Sequence, residues 1–400
     1  MGRVVITGLG PVSSIGIGRA AFCSALRAGR SGISEITSFD ASGFPYRRAG
    51  EVRGDSDVHL RVLDAQRWAR SSRFAASAAR LAVTDGGLDP ALVAPGRGHA
   101  VIGTTSGESA ALEAVTAQIL ERGFAGQDPD LLSQVPANRL AHAVSEELGL
   151  TGESLTLATA CSASNYALGY AHDLLTTGEA DVVLAGGADS VCRWAHAGFY
   201  RLGALAEKAS TPFDVGRTGI LTGEGAAVLL LETAEHAEAR GARVYAEVLG
   251  YGLNCDATHP VTPDAASIAE CMRLAHRNAD IKADEVDWVC AHGTGTPVND
   301  LVESRAIAEV FGARLPPVSS IKSMMGHTMG AACGFGAIAS ALAIDEGFLP
   351  PTINHTRTDP ELFGIDPVPN LARDAEVSVV QNDGFAFGGN NAIVVLGAPR

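Results

Sequence analysis

The feature that most constrains the fold of this chain is an internal repeat. Residues 3–10 (Arg-Val-Val-Ile-Thr-Gly-Leu-Gly) have a counterpart in residues 243–252 (Arg-Val-Tyr-Ala-Glu-Val-Leu-Gly-Tyr-Gly). The Gly-rich turn and apolar strand of residues 223–231 are likewise mirrored by residues 388–396. Each half therefore opens with a strand and closes with a Gly-rich turn into an apolar strand. Because continuous apolar strands fit sheets that are buried on both faces, the repeat predicts a duplicated α/β unit.

The repeat also predicts where the chain divides. We expect an N-terminal half over residues 1–240 and a C-terminal half over residues 241–400, with the boundary near residues 235–241. A chain of 400 residues, 46% of them hydrophobic, is long enough to bury a large core. Between residues 107 and 153 the pattern is helical and interrupted, and no long linker is present.

Composition argues against several classes of function. The net charge of −15 argues against nucleic acid as a partner. The seven cysteines form no Cys-x-x-Cys pair, which argues against a disulfide framework and a structural zinc site. No apolar run reaches the ~18 residues that span a bilayer, and no signal peptide is visible. We therefore expect a cytoplasmic protein with no membrane partner.

One cysteine lies where a nucleophile could be activated. Residues 154–158 form an apolar strand pattern, and from Ser164 onward the spacing is helical, so Cys161 is predicted at the start of a helix. Unpaired N–H groups and the positive end of the helix dipole at that position favour a thiolate, which is the reactive form of cysteine. The alternative is a buried structural cysteine, which is the usual fate of a free thiol.

Two histidines occur in similar surroundings. His292 lies in Cys-Ala-His-Gly-Thr-Gly-Thr-Pro, and His327 lies in Lys-Ser-Met-Met-Gly-His-Thr-Met-Gly, which leads into a helical pattern over residues 331–344. Each loop is rich in small residues and follows a predicted strand. A single histidine in such a loop is more often structural. Two of them, together with Lys322 and a cysteine at a helix start, indicate an active site.

These segments resemble the β-ketoacyl-ACP synthases. The runs Thr-Ala-Cys-Ser-Ala-Ser, His-Gly-Thr-Gly-Thr-Pro, Lys-Ser-Met-Met-Gly-His and Gly-Phe-Ala-Phe-Gly-Gly-Asn-Asn are similar to that family, in the same order, and the likeness covers essentially the whole chain. The elongating synthase II class is the most similar type. The resemblance implies the thiolase fold, a five-layered α-β-α-β-α sandwich. It also implies a decarboxylative condensation of malonyl-ACP with an acyl group, in fatty acid or polyketide synthesis.

The resemblance assigns catalytic roles to individual residues. Cys161 would carry the acyl group, and its backbone N–H together with that of Phe387 would hold the oxyanion. His292 and His327 would stabilise the enolate that decarboxylation creates. Lys322 would orient the histidines. Glu303 would be the fifth catalytic residue, because it matches the family's acidic partner of the lysine. The alternative is that Glu303 is an acidic residue in the first turn of a helix, without a catalytic role.

The same resemblance assigns substrate contacts. Thr294 and Thr296 would bond the amides of a phosphopantetheine arm, with plain turn chemistry as the alternative. Phe385 would also contact the substrate, and Phe387 would act as a gate beside the cysteine. No metal or organic cofactor is implied. The expected partners are an acyl carrier protein and a second subunit, which would be either a second copy or a chain-length factor.

Two departures from the family pattern bear on the pathway. Where the family usually reads Asn-Ser-Phe-Gly-Phe-Gly-Gly-Thr-Asn, this chain has Asp383-Gly-Phe-Ala-Phe-Gly-Gly-Asn-Asn, and Ala386 would stiffen the gate loop. Arg-Thr-Gly-Ile at residues 217–220 stands where Arg-Asp-Gly-Phe is usual. These changes make the ketosynthase of a type II polyketide or polyene system an alternative to an enzyme of general fatty acid synthesis.

A basic cluster is the candidate docking site for the acidic carrier protein. Arg67, Arg70 and Arg73 recur every three residues, so on one helix they would form a basic face. The alternative is a solvated face or a set of internal ion pairs.

Three other classes of protein remain open at this stage. A thiolase-type enzyme would share the fold. A non-catalytic chain-length-factor subunit would also share it, but such subunits lack the nucleophile. A cysteine protease has a similar interval between Cys161 and His292, but the local signature is missing.

Overall fold

The computed structural model describes residues 2–400. The strands are β1 Val4–Ser13, β2 Gly16–Ile17, β3 Ser34–Glu35, β4 Arg48–Gly50, β5 Gly98–Gly103, β6 Ser154–Leu157, β7 Val182–Asp189, β8 Thr222–Gly223, β9 Gly225–Thr233, β10 Ala246–Cys255, β11 Trp288–Cys290, β12 Val318–Ser319, β13 Phe348–Leu349, β14 Arg373–Asp374, β15 Val379–Phe385 and β16 Asn390–Gly397. The helices are α1 Arg19–Arg27, α2 Arg70–Asp85, α3 Ser109–Arg122, α4 Pro129–Leu132, α5 Arg139–Leu148, α6 Ala163–Thr176, α7 Arg193–Arg201, α8 Ala234–Ala239, α9 Ala265–Asn278, α10 Pro297–Phe311, α11 Lys322–Met325 and α12 Ala332–Glu346.

The order of the strands repeats between the two halves of the chain. Outward from the centre, the first half runs β1-β9-β7-β5-β6 and the second runs β10-β16-β15-β11-β12. In each half the first two pairings are antiparallel and the last two are parallel. β1 and β10 pair with each other, so both halves share one continuous sheet. The repeated strands predicted from the sequence are therefore equivalent in space.

The predicted boundary near residues 235–241 falls on α8 and the turn after it, between the last strand of the first half and the first strand of the second. Because β1 and β10 join the halves directly, the division at residue 240 stays a prediction.

Alternating side chains separate the protein into five layers. In β9, Leu229 and Leu231 face the central core, whereas Val228 and Leu230 face an outer one. This alternation is the two-residue period of a strand with both faces covered. The central core contains α6 and α12. One outer layer is built on α2 and α5, and the other on α9 and α10. The α-β-α-β-α arrangement agrees with the predicted fold.

One segment passes a length and composition test for membrane helices. Within residues 2–400 it is Met329–Glu346, which is α12 with the turn before it, and 83% of that window is buried inside the protein. Its apolar side chains pack between the two halves of the sheet.

The two central helices begin at the same kind of turn. Ala160 precedes α6 and Met329 precedes α12, and their backbone φ angles are left-handed, at 51° and 54°. Each is the first residue of a short 3₁₀ turn that leads into its helix. Cys161 and Gly330 therefore occupy equivalent positions in the two halves.

These two turns contact each other across the molecular centre. The Cys333 thiol donates to the Cys161 carbonyl at 3.2 Å, and the Ser164 hydroxyl donates to the Gly330 carbonyl. Ser164 and Cys333 hold equivalent places in their helices, so the contact is reciprocal. The duplication thus brings the cysteine beside the second histidine loop.

Candidate active site

The structure brings the predicted cysteine and both histidines to one cavity. Its volume is about 350 Å³, and Cys161, His292 and His327 all line it. The predicted substrate-binding and gate residues line it too: Thr294, Thr296, Phe385 and Phe387. Lys322 and Glu303 do not reach its surface.

Cys161 follows the left-handed turn and is 5% exposed. Burial raises the pKa of its thiol to about 12, with a further contribution from the neighbouring thiol of Cys333, while Lys322 acts in the opposite direction. The sequence predicted a thiolate, and this prediction was wrong for the resting protein. Removal from water destabilises the thiolate by more than the helix start and Lys322 stabilise it. The side chain rests as a thiol and must lose its proton when it attacks.

The two histidine rings meet edge to face. Their centroids lie 5.4 Å apart at an interplanar angle of 83°. Burial lowers the pKa of His292 well below its ordinary value, and Lys322 and His327 lower it further. Burial and then Lys322 likewise hold the pKa of His327 well below its ordinary value. Both imidazoles are therefore neutral, and each can accept a proton or donate one ring N–H.

Hydrogen bonds fix both the position and the tautomer of His327. Its backbone N–H donates to the Leu221 carbonyl at 2.7 Å, and Gly223 N–H donates to the His327 carbonyl at 2.9 Å. The Met329 N–H donates to Nδ1 of the ring at 3.2 Å. Since Nδ1 accepts, the neutral ring carries its proton on Nε2.

Lys322 and Glu303 hold the backbone of His292 in place from the side away from the cavity. The Lys322 Nζ donates to the His292 carbonyl at 2.5 Å. The Glu303 carboxylate accepts the backbone N–H groups of His292 and Gly293, each at 2.7 Å. Burial raises the pKa of Glu303, and Asp300 raises it further.

The pairing of Glu303 with Lys322, which the resemblance implied, is absent. Within residues 2–400 the two side chains form no direct ion pair within 4.0 Å, although the charge of Lys322 still opposes the rise in the pKa of Glu303 that burial causes. The reason is that each has another partner: the lysine binds a carbonyl, and the carboxylate binds two backbone N–H groups and the Asn299 amide. Both therefore act on the backbone of the His292 loop.

The two threonines line the cavity but are already hydrogen-bonded. Thr294 Oγ1 and Thr296 Oγ1 lie 3.0 Å apart. The Thr296 hydroxyl also accepts Asn299 N–H at 3.2 Å and so caps α10. Turn chemistry thus accounts for part of the motif, and binding of a phosphopantetheine arm stays a prediction.

The two phenylalanines differ in exposure. Phe385 is buried, and its ring lies 5.5 Å from that of His292. Phe387 is 38% exposed and contacts Phe199 on α7 at 5.9 Å. Its loop is tied down by Gly388 N–H, which donates to the Pro260 carbonyl at 2.8 Å. Phe199 and the residues around Pro260 were not predicted, because nothing in their local pattern marks them as cavity walls.

The predicted face of three arginines does not form. Arg67 ends a separate 3₁₀ turn, whereas α2 begins only at Arg70. Arg70 is paired with Glu224, which is fully buried, and Arg73 is paired with Asp57. Of the three, Arg67 alone is exposed. The interpretation as internal ion pairs holds for two of them, and Arg67 remains the candidate for docking.

Comparison with known proteins decides the family. Residues 1–237 match the profile described as "Beta-ketoacyl synthase, N-terminal domain", and residues 245–356 match "Beta-ketoacyl synthase, C-terminal domain". The chain belongs to the β-ketoacyl synthase family. The synthase is 39% identical to 3-oxoacyl-[acyl-carrier-protein] synthase 2 of Coxiella burnetii over 98% of each chain.

Solved structures agree with this assignment. The synthase superposes on the ishigamide ketosynthase/chain length factor with a TM-score of 0.97 and 46% identity, over 100% of both chains. It also superposes on a chain from the complex between a type II PKS acyl-carrier protein and its ketosynthase. The TM-score is 0.92 and the identity 30%, again over 100% of both chains.

The predicted family, the thiolase fold and the activity as a 3-oxoacyl-ACP synthase are confirmed. The synthase catalyses the condensation that elongates fatty acid or polyketide chains. The cysteine-protease and thiolase-type alternatives are thereby dropped.

Proposed function

We propose that Cys161 carries the acyl chain and that His292 and His327 drive decarboxylation of the extender unit. The observation that carries the proposal is the single cavity lined by the thiol and two neutral imidazoles. Covalent catalysis of this kind divides one difficult step into two easier ones.

The first stage is acyl transfer. The Cys161 sulfur forms a bond to the thioester carbon, the bond from that carbon to the carrier sulfur breaks, and the cysteine proton passes through a neutral imidazole to the leaving thiolate. The backbone N–H groups of Cys161 and Phe387 hold the oxyanion in this proposal. In residues 2–400 no protein acceptor takes the Phe387 N–H, so it is free to serve. Each such donor contributes ~3 kcal/mol to transition-state stabilisation.

The second stage forms the carbon–carbon bond. CO₂ leaves the malonyl thioester, and the electron pair moves into the enolate, whose oxygen accepts N–H from His292 and His327. The enolate carbon then forms a bond to the carbonyl carbon of the acyl-Cys161 thioester, the bond from that carbon to the Cys161 sulfur breaks, and the released thiolate takes a proton from solvent water. The supporting observation is the His327 tautomer, because Nε2–H is the donor that an enolate oxygen needs. These steps require no metal or organic cofactor.

The carrier protein would reach the cavity by its phosphopantetheine arm. Thr294 and Thr296 on one wall offer hydroxyls to the arm's amides, and Phe385 and Phe387 enclose the reacting end. We place the synthase in the cytoplasm.

Docking of the carrier protein gives a direct test through Arg67. Reversal to Arg67→Glu should raise KM for acyl-ACP severalfold and flatten its salt dependence, because an exposed attractive charge is lost. Activity on a small N-acetylcysteamine thioester should stay nearly constant. Steady-state kinetics at several salt concentrations measure both.

Arg314→Glu is the matched control for this change. Arg314 is also exposed, but it follows the end of α10, whereas the start of α10 lines the cavity. If both charge reversals raise KM equally, net charge and not local docking is responsible. A parallel loss on the small thioester would make Arg67 structural.

We further infer that the second subunit is a chain-length factor in a polyketide-type system. Identity to the ishigamide ketosynthase/chain length factor is 46%, against 39% to the synthase 2 of Coxiella burnetii. The departures at Asp383 and Thr218 point the same way. An apolar surface suited to a partner is present around α3, where Leu120 and Phe124 are each 82% exposed.

Sedimentation with and without a co-encoded cysteine-less homologue tests this inference. We expect a two-subunit particle that Leu120→Asp weakens at least about tenfold, because a charge would be buried at the contact. Leu371→Asp, at a site 79% exposed on another part of the surface, should have no effect. An active homodimer that does not bind the homologue would contradict the inference that the second subunit is a chain-length factor. An active monomer would contradict the inference that the synthase works as a two-subunit particle.

A further inference from the structure

The carboxylate of Asp189 collects an unusual set of hydrogen bonds next to the histidine loop. Asp189 ends β7 and is fully buried. It accepts Thr104 Oγ1–H at 2.8 Å, Thr105 N–H at 2.8 Å, and both the N–H and the hydroxyl of Ser106 at 3.0 and 3.2 Å. The fifth donor is Gly330 N–H at 2.7 Å. One side chain therefore joins the loop after β5 to the turn that begins α12.

The Gly330 contact has a particular meaning because of the duplication. Gly330 occupies the place that Cys161 holds in the other half. The N–H that Asp189 accepts is therefore equivalent to the Cys161 N–H proposed for the oxyanion. In this second turn an internal carboxylate takes the position that a reacting anion would take in the first.

The same turn governs His327. Met329 holds a left-handed conformation, which costs ~1 kcal/mol or more for a residue with a side chain, so its neighbours must maintain it. Two hydrogen bonds hold this turn. The Met329 N–H donates to Nδ1 of His327, on the N-terminal side. The N–H of the next residue, Gly330, donates to the Asp189 carboxylate.

We propose that Asp189 is a positioning residue for His327, because it holds the Met329–Gly330 turn that keeps Nδ1 occupied and Nε2–H facing the substrate. The inference rests on the proposed role of His327 in decarboxylation. Asp189 itself does not line the cavity, so it acts through the turn.

Protonation of Asp189 should therefore weaken decarboxylation. Burial raises the pKa of this carboxyl to about 6, although its hydrogen bonds lower it. Above that pH the carboxylate accepts hydrogen bonds from all five donors. Below it the carboxyl carries a proton that points at surrounding N–H and O–H donors, so the hydrogen bonds that hold the turn are weakened. The titratable groups that share its surroundings are the thiols of Cys161 and Cys192, whose pKa values burial raises. Within residues 2–400 every hydrogen-bond donor to the Asp189 carboxylate is a backbone N–H or a hydroxyl, and none is a cation.

The experiment compares the two half-reactions in Asp189→Asn. We expect CO₂ release from malonyl-ACP to fall at least about tenfold, since small displacements of a catalytic group are costly, while acyl loading of Cys161 stays within about threefold. The fall in CO₂ release below about pH 6 should be present in the wild type and absent in the variant. Equal loss of both half-reactions, or an unchanged pH profile, would overturn the proposal.

Three further variants keep the test decisive. Glu108→Gln changes another buried carboxyl, which accepts the N–H groups of Ser71 and Ser72 on α2, and should not separate the half-reactions. Thr104→Val removes one donor to Asp189, so the acid limb of CO₂ release should move to higher pH even if Asp189→Asn does not fold. His327→Ala, measured alongside, tests the proposed function separately: if it still releases CO₂ normally, that role fails whatever Asp189 does.

Discussion

Replacement of Cys161 by alanine should abolish acyl transfer from acyl-ACP to the synthase. Cys161 is the one thiol among the residues that line the cavity, and no other cavity group can form the same thioester. Incubation with acyl-ACP followed by intact-protein mass spectrometry should show a full adduct on the wild type and none on the variant. The expected loss reaches the detection limit, because removal of a nucleophile leaves only residual stabilisation by the surrounding site.

Cys333→Ser is the matched control for this experiment. Cys333 is a second buried thiol, 3.2 Å from the Cys161 carbonyl, but it does not line the cavity. Serine already occupies the equivalent place in the other half, at Ser164. The control should therefore load normally. An adduct on Cys161→Ala would remove Cys161 from its proposed role. Loss of the adduct from Cys333→Ser would instead mean that loading depends on the hydrogen bond from Cys333 to the Cys161 carbonyl.

Much of the fold could be predicted because it is written in local patterns. The duplicated strands have apolar runs of recognisable length, and their repetition fixed the equivalence of β1 with β10 and of β9 with β16. The start of α6 was predicted within one residue, since the strand pattern over residues 154–158 is followed by a helical pattern from Ser164 onward, and the structure has a strand Ser154–Leu157 and a helix from Ala163. The site motifs follow strand ends, so their convergence in one cavity could also be expected.

The errors concern properties that depend on tertiary surroundings. The thiolate prediction for Cys161 counted the helix start, which is local, but not the desolvation, which comes from the packing of both halves. The spacing of Arg67, Arg70 and Arg73 favoured one basic face, with internal ion pairs as the alternative. The sequence could not decide between them, because the partners of Arg70 and Arg73, Glu224 and Asp57, lie 154 and 16 residues away. Regular spacing of charged residues can predict which side of a helix they share, but it does not predict which residues they contact.

The same limit explains why Asp189 was missed. It lies in a run of apolar and small residues at the end of β7, with no motif around it, and its role depends on Gly330, 141 residues further along. The one available signal was a charged residue at the end of a strand that is otherwise fully buried. The duplicated turn, seen only in three dimensions, gives that signal its meaning.

Replacement of His327 by alanine should separate the two half-reactions. The variant loses the Nε2–H donor to the enolate, so release of CO₂ from malonyl-ACP should fall at least about 100-fold, which is the usual effect of removing one preorganised donor. Acyl loading should fall by less than about tenfold, because His292 remains as a neutral proton acceptor beside Cys161. Trapped CO₂ from labelled malonyl-ACP and the acyl mass adduct measure the two quantities on the same protein.

His355→Ala separates this effect from the general cost of emptying a buried histidine site. His355 is also buried, but its ring contacts Thr358 and does not line the cavity. It should lower the melting temperature without separating the half-reactions. If His327→Ala loses both half-reactions equally, the ring serves as the proton acceptor for the thiol as well, and the proposed division of labour is wrong. If it loses loading alone, the enolate is stabilised by His292 without help, and the tautomer fixed by Met329 has no catalytic consequence.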